Sequence, residues 1–137
     1  MYLIIVGAGK VAAGLVEIAR DRGHKVALIE KDSELARNII QKYDIDVYNA
    51  DIASGDILDE AGVKRADAII ATTEDDSTNL MAMVLGKENG VETLIATIAE
   101  SKHQAMFERL GVRVLTHPEK IVARALVNIL EPGEDSQ

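Results

Sequence analysis

None of the 137 residues is cysteine, which excludes disulfides, thiolate zinc sites, iron–sulfur clusters and a cysteine nucleophile. Tryptophan is also absent, and the aromatic side chains are three Tyr and one Phe. Basic residues are in the minority, 15 against 23 acidic, for a formal net charge of −8. A nucleic-acid binder wants a basic surface and rings for bases to stack on, so that class is disfavoured. No uninterrupted apolar run approaches the ~20 residues a membrane span needs. The apolar opening, residues 1–6, lacks the basic lead and cleavage site of a signal peptide. These absences predict a soluble, cytoplasmic chain, and its length suits a single compact domain.

Short apolar runs alternate with helical patterns. Residues 2–6 (YLIIV) are apolar throughout, as a strand covered on both faces should be. A helix over 10–22 carries Val11, Leu15, Ile18 and Ala19 at helical spacing and stops at Gly23. Residues 25–29 read as a second strand, and Asp32 and Ser33 cap a helix to about Tyr43. The pattern continues with a strand over 46–49, a short helix over 55–61 and a strand over 68–71. After these come a helix over 77–89, a strand over 93–98 and a helix over 102–110. A last strand spans 113–115, and Pro118 opens a helix to Leu130. The predicted fold class is α/β: a Rossmann-like, doubly wound, six-stranded parallel sheet in a single domain, residues 1–130, with a short polar tail over 131–137.

The strongest local signal is Gly7-Ala8-Gly9-Lys10-Val11-Ala12, which joins the first strand to the first helix. Gly7 allows a tight turn, and Gly9 lets backbone approach a pyrophosphate seated on the helix N-terminus. Ala12 stands where a third Gly is commoner and still permits close helix–strand packing. Glu30, at the end of the second strand, is placed to accept ribose hydroxyls and to repel a 2′-phosphate. The alternative is a purely structural turn of an α/β domain. Lys10 is either a solvated helix-start residue or a cation beside phosphates. Asp51 either accepts from an adenine amino group or is a loop residue, with Asp56 capping the short helix. Thr72, Thr73 and Glu74 either line the far end of a ligand or belong, with 75–77, to a capping cluster.

Hydride transfer needs a proton donor and a surface for a second substrate. No Tyr is followed four residues later by Lys, no His pair has metal spacing, and no Ser sits in a nucleophile elbow. His24 falls in a turn remote from the strand carboxyl ends, His103 reads as a surface residue, and His117 alone is placed near a ligand. Catalysis is the weaker expectation. Three helical stretches are unusually apolar: 80–85, the face carrying Met106, Phe107 and Leu110, and 121–130, where only Arg124 and Asn128 interrupt. Either a layered sandwich buries them or they form a subunit interface, and a chain-terminal helix favours the interface.

Several runs carry a family likeness: YLIIVGAGKVAAGL, GHKVALIEKD, DEAGVKRADAIIATTEDDSTNLMAM with its Asn79, and FERLGVRVLTHPE. In their order and over nearly the whole chain they resemble the RCK (KTN) nucleotide-binding domain of Trk- and Ktr-type potassium-uptake regulatory subunits. The resemblance implies a non-enzymatic cytosolic regulatory subunit, peripheral at the inner face of the membrane, binding NAD(H) or an adenine nucleotide (ATP, ADP or AMP). Its implied partners are a membrane-embedded potassium channel or transporter subunit and further copies of itself, as homodimers built into a ring.

Carried over by position, the resemblance gives Gly7, Ala8, Gly9, Lys10 and Val11 to the pyrophosphate and Glu30, with Lys31, to the adenosine ribose. Asp51 and Ile52 fall near the adenine, and Thr72, Thr73 and Glu74 near the distal ribose or phosphates. Thr97 stands where many relatives have Arg or Lys, and Ala53 where a Thr often follows the Asp51 loop. Glu119, of the His-Pro-Glu run, is implied in a Mg2+ or Ca2+ site between subunits. Most relatives continue into a C-terminal ligand-binding domain near the point where this chain stops. The alternative function is a small NAD(H)-dependent oxidoreductase or redox sensor.

Overall fold

The computed structural model describes residues 1–54 and 56–133. Among them, six strands pair in parallel in the order β3-β2-β1-β4-β5-β6: β1 (Tyr2–Val6), β2 (Lys25–Glu30), β3 (Asp46–Asn49), β4 (Ala68–Ala71), β5 (Thr93–Ile98) and β6 (Arg113–Thr116). The chain winds outward from β1 to one edge, returns to the middle at β4, and winds to the other edge. The switch between the two directions lies between β1 and β4, where Val6 pairs with Ala71. A crevice must open there, because the connections leaving the two strands go to opposite faces of the sheet.

Successive residues of β1 separate the two cores. Leu3 and Ile5 join Val26 and Leu28 under α1 (Lys10–Asp21) and α2 (Ser33–Lys42). Ile4 and Val6 join Ile69, Ala71, Leu94 and Ala96 on the other face. There α3 (Ile57–Glu60), α4 (Asp76–Glu88) and α5 (Gln104–Arg109) supply Leu58, Met83 and Phe107. Strands buried on both faces explain the unbroken apolar runs. Positive φ at Gly23, Gly90 and Gly111 ends α1, α4 and α5.

The inward face of α1 is Ala12, Val16 and Ala19, whereas Val11 and Ile18 are about half exposed. Of the periodic set read from the sequence, Ala19 is buried and Leu15 packs against the core, whereas Val11 and Ile18 turn away from the sheet. Small Ala12 and Ala19 let the helix pack closely on the sheet, against β2, with Val16 beside them in the core. The short helix begins at Ile57 after Asp56, whose side chain makes no cap bond. Its expected start, Gly55, and tail residues 134–137 lie outside the described residues.

The last helix, α6 (Pro118–Leu130), departs most from the layered arrangement. It buries no residue, and Val122, Leu126, Ile129 and Leu130 are 60%, 59%, 75% and 80% exposed. The chain's own sandwich does not cover it. No helix of the described residues is long and apolar enough to cross a membrane.

Candidate functional site

A cleft of about 940 Å³ opens at the carboxyl ends of the strands, over the switch between β1 and β4. Its floor is the glycine turn. Gly7 takes φ +117°, and a Cβ there would meet Thr72 Oγ1 at 2.9 Å and Thr73 N at 3.2 Å. Only glycine fits between the β1 turn and the β4–α4 loop. Gly9 differs: its φ of −76° suits any residue, and a Cβ there would meet nothing within 4 Å. Its lack of a side chain leaves open space in front of α1.

The N-terminus of α1 is the chemical centre of this space. Helix geometry leaves the first-turn N–H groups without intrahelical acceptors. Asp32 caps α2, accepting from Glu34 N and Leu35 N, and Asp75 caps α4, accepting from Ser77 N. At α1 no side chain caps and no acidic residue occupies the first turn. The helix dipole and free amides thus meet the cleft unopposed, with Lys10 beside them.

The remaining expected residues gather around the same cleft: Ala8, Val11, Glu30, Lys31, Asp51, Ile52, Thr72, Thr73, Glu74, Thr97 and Glu119 all line it. Glu30 Oε2 accepts from Asp32 N at 3.0 Å, which steers the carboxylate at the β2 end. Asp51 Oδ1 accepts from Ala53 N at 2.9 Å, so Asp51 shapes its own loop as well as facing the cleft. Thr73 Oγ1 lies 2.6 Å from Asn79 Oδ1 and 3.1 Å from Asp75 O and accepts from Asp75 N. Its hydroxyl is committed to the loop. Asp75 both caps α4 and lines the cleft, so the two readings of the 72–77 stretch are compatible. Sequence reasoning missed Leu35, Thr78, Ala99 and Pro118 as lining residues. Leu35 and Ala99 carry no motif, and all four reach the cleft through tertiary placement.

Two lysines face five carboxylates across this lining (Glu30, Asp51, Glu74, Asp75 and Glu119). The positive partners for an anion are therefore local, the α1 amides and Lys10, rather than the field of the whole site.

Behind the cleft, Asp76 braces the β5–α5 connection. Its Oδ1 accepts from Ala99 N at 2.8 Å, and its Oδ2 accepts from Glu100 N at 3.2 Å and from His103 Nδ1 at 2.7 Å. Burial pushes the Asp76 carboxyl up, but these hydrogen bonds and the His103 ring outweigh it and hold the group below its ordinary value. His103, expected on the surface, is instead a partner in this brace with 30% of its side chain exposed. The reason is long-range: α4 brings Asp76 to it from 27 residues away.

His117, the one non-glycine residue with positive φ (49°) among those described, precedes α6. Its Nε2 lies 2.8 Å from Ser101 Oγ and its Nδ1 3.1 Å from Glu119 Oε1. Asp76, Glu100 and His103 are the only described group of three His or carboxylate ligands close enough to share an ion, and Glu119 is not among them. Within one chain Glu119 is a single exposed carboxylate already bonded to His117, so these residues do not by themselves fit a Mg2+ or Ca2+ site.

The TrkA-N domain family matches residues 3–118. A Trk system potassium uptake protein TrkA homolog of Methanothermobacter thermautotrophicus is 29% identical over 130 residues, covering 95% of this chain and 60% of that protein. A homolog of the same name from Pyrococcus abyssi is 31% identical over 142 residues, covering 98% and 63%. The chain thus spans about three fifths of the length of these relatives. Among solved structures, the TrkA-N domain of the Escherichia coli inner membrane protein ybaL superposes with a TM-score of 0.81 at 18% identity, covering 94% of this chain and 96% of that one. The GsuK channel bound to NAD gives 0.73 at 18% identity, covering 83% and 21%. The AMP-bound form of the Shewanella denitrificans Kef CTD gives 0.78 at 19%, covering 99% and 84%. At these identities the structures establish the shared fold.

Proposed function

This chain belongs to the TrkA-N domain family, and from that premise we propose that it is the nucleotide-binding regulatory domain of a potassium-uptake system. In this reading NAD(H) or an adenine nucleotide occupies the cleft and its occupancy controls a membrane-embedded potassium channel or transporter subunit. The domain works in the cytoplasm, at the inner face of the membrane, through that partner. One observation carries the reading: α1 is left uncapped where α2 and α4 are capped by aspartates, and its bare N-terminus opens on the cleft beside Gly9. Glu30 at the neighbouring strand end suits ribose hydroxyls and disfavours a 2′-phosphate.

The function is regulatory rather than enzymatic. The relatives named as Trk system potassium uptake proteins support that reading. Regulation requires that the ligand prefer one arrangement of subunits over another. The exposed α6 supports a homodimer as the unit of that arrangement, and its first residues, Pro118 and Glu119, line the cleft. A ligand there touches the root of the helix that carries the dimer contact, and dimers of this kind assemble further into a ring.

Native mass spectrometry of the purified protein tests the reading, with NADH, NAD, ATP, ADP and AMP added in turn. The expected result is a dimer retaining at least one of them. A folded protein that retains none overturns the nucleotide reading, and a monomer at all concentrations overturns the dimer.

A further inference from the structure

Asn79 is fully buried and is the one buried polar or charged side chain among the described residues. It lies on α4, outside the cleft lining, yet all its hydrogen-bonding capacity is spent on the cleft's walls. Its Oδ1 lies 3.1 Å from Thr73 N and 2.6 Å from Thr73 Oγ1 and accepts from both. Its Nδ2 donates to Thr73 O at 3.0 Å and to Thr97 O at 2.9 Å. One side chain therefore ties the loop after β4 to the end of β5, through residues that both line the cleft.

The tie has a consequence at the glycine turn. Thr72 N donates to Val6 O at 2.9 Å, and the 72–73 segment packs against Gly7 with no room for a methyl group. Asn79 holds this segment from one side while β1 holds it from the other. The crevice at the switch between β1 and β4 has a width fixed by those two anchors. A buried amide satisfied at every position costs little to keep, and leaving its partners unpaired is expensive. An apolar residue at 79 would fill the volume and leave Thr73 N, Thr73 O and Thr97 O without partners.

We propose that Asn79 is a positioning residue for nucleotide binding: it touches no ligand and pre-forms the crevice by locking Thr73 to β5. This rests on the nucleotide reading above. Preorganisation of this kind shows as affinity, because a loosened wall must be ordered again by the ligand at its own cost.

The test compares the wild type with Asn79→Ala and with Met83→Ala, a substitution at an equally buried α4 residue that faces the core and not the cleft. Both variants lower the melting temperature. Titration calorimetry with ATP and with NADH is run well below either melting point, where every protein is folded and global stability no longer enters. Asn79→Ala is expected to weaken binding about tenfold, and Met83→Ala to stay within about twofold of the wild type. Equal affinity in Asn79→Ala and wild type overturns the proposal, as does an equal loss in Met83→Ala. A wild type that binds neither probe overturns the nucleotide reading itself, and this inference falls with it. Amide exchange of the free wild type decides the matter even if Asn79→Ala does not fold. Thr73 N–H is expected to be protected without ligand, and exchange as fast as an open loop overturns the pre-formed crevice.

Discussion

The two glycines of the β1–α1 turn offer the sharpest separation of folding from binding, because the same methyl group does opposite things at each. Gly9 has φ −76° and open space where a Cβ would stand. Gly9→Ala therefore introduces no strain and removes freedom from the unfolded chain, a gain of about 0.4–1 kcal/mol. At about 4 °C per kcal/mol for a domain of this size, the melting temperature rises by roughly 2–4 °C. The same methyl stands in front of the α1 amides, where a phosphate oxygen must come to about 3 Å. Losing two charge-assisted hydrogen bonds, about 1.5–3 kcal/mol each, weakens nucleotide binding by roughly a hundredfold or more. Gly7→Ala meets φ +117°, Thr72 Oγ1 at 2.9 Å and Thr73 N at 3.2 Å. Strain and overpacking together cost about 2–4 kcal/mol, roughly 8–16 °C. Differential scanning calorimetry and titration calorimetry read the two axes. The reasoning fails if Gly9→Ala binds nucleotide as the wild type does, or if it destabilises the fold as much as Gly7→Ala.

Three further outcomes are expected. Asp76→Asn loses acceptor capacity at the β5–α5 brace and lowers stability at neutral pH by about 1–2 kcal/mol. The native carboxyl is held below its ordinary value, so its contribution is complete above pH 3.8 and is lost as pH falls through the lowered value. The gap in melting temperature between wild type and variant should thus close in strong acid, and a gap independent of pH would refute the account. Leu126→Asp with Ile129→Asp alters side chains already 59% and 75% exposed, so unfolding stability of the separate chain changes by no more than about 0.5 kcal/mol. If α6 carries the dimer contact, burying two such side chains is worth about 1.5–3 kcal/mol each, and sedimentation should show association weakened a hundredfold or more, toward monomer. Glu30→Ala should reduce affinity for NAD(H) or adenine nucleotides about tenfold and narrow the preference over their 2′-phosphorylated forms. Competition titration measures both, and an unchanged preference would remove Glu30 from ribose recognition.

Much of the fold was legible because its causes are local. Apolar strand runs announce burial on both faces, glycines at 23, 90 and 111 end helices, and Asp32 caps one. Strands alternating with helices imply a parallel, doubly wound sheet, and the order β3-β2-β1-β4-β5-β6 is read from the structure. The site's floor was legible for the same reason, since a turn that only glycine can make is written at its own position. The helix-capping pattern also carried more than expected: the missing cap on α1 could have been noticed beside Asp32 and Asp75 in the sequence.

What the sequence by itself determined, then, is the set of elements, the parallel doubly wound sheet they form and the end of that sheet at which the glycine turn opens. Only the tertiary structure decided that Ala12 and Val16 turn inward with Ala19 while Val11 and Ile18 face out, because the helix packs closely on the sheet at β2. It alone committed the Thr73 hydroxyl to Asn79, joined His103 to Asp76, and left α6 uncovered. Each of these depends on which side chains meet after the chain has closed. Periodicity records how a segment faces, but a hydrogen bond between residues far apart in sequence exists only once packing has set the distance between them.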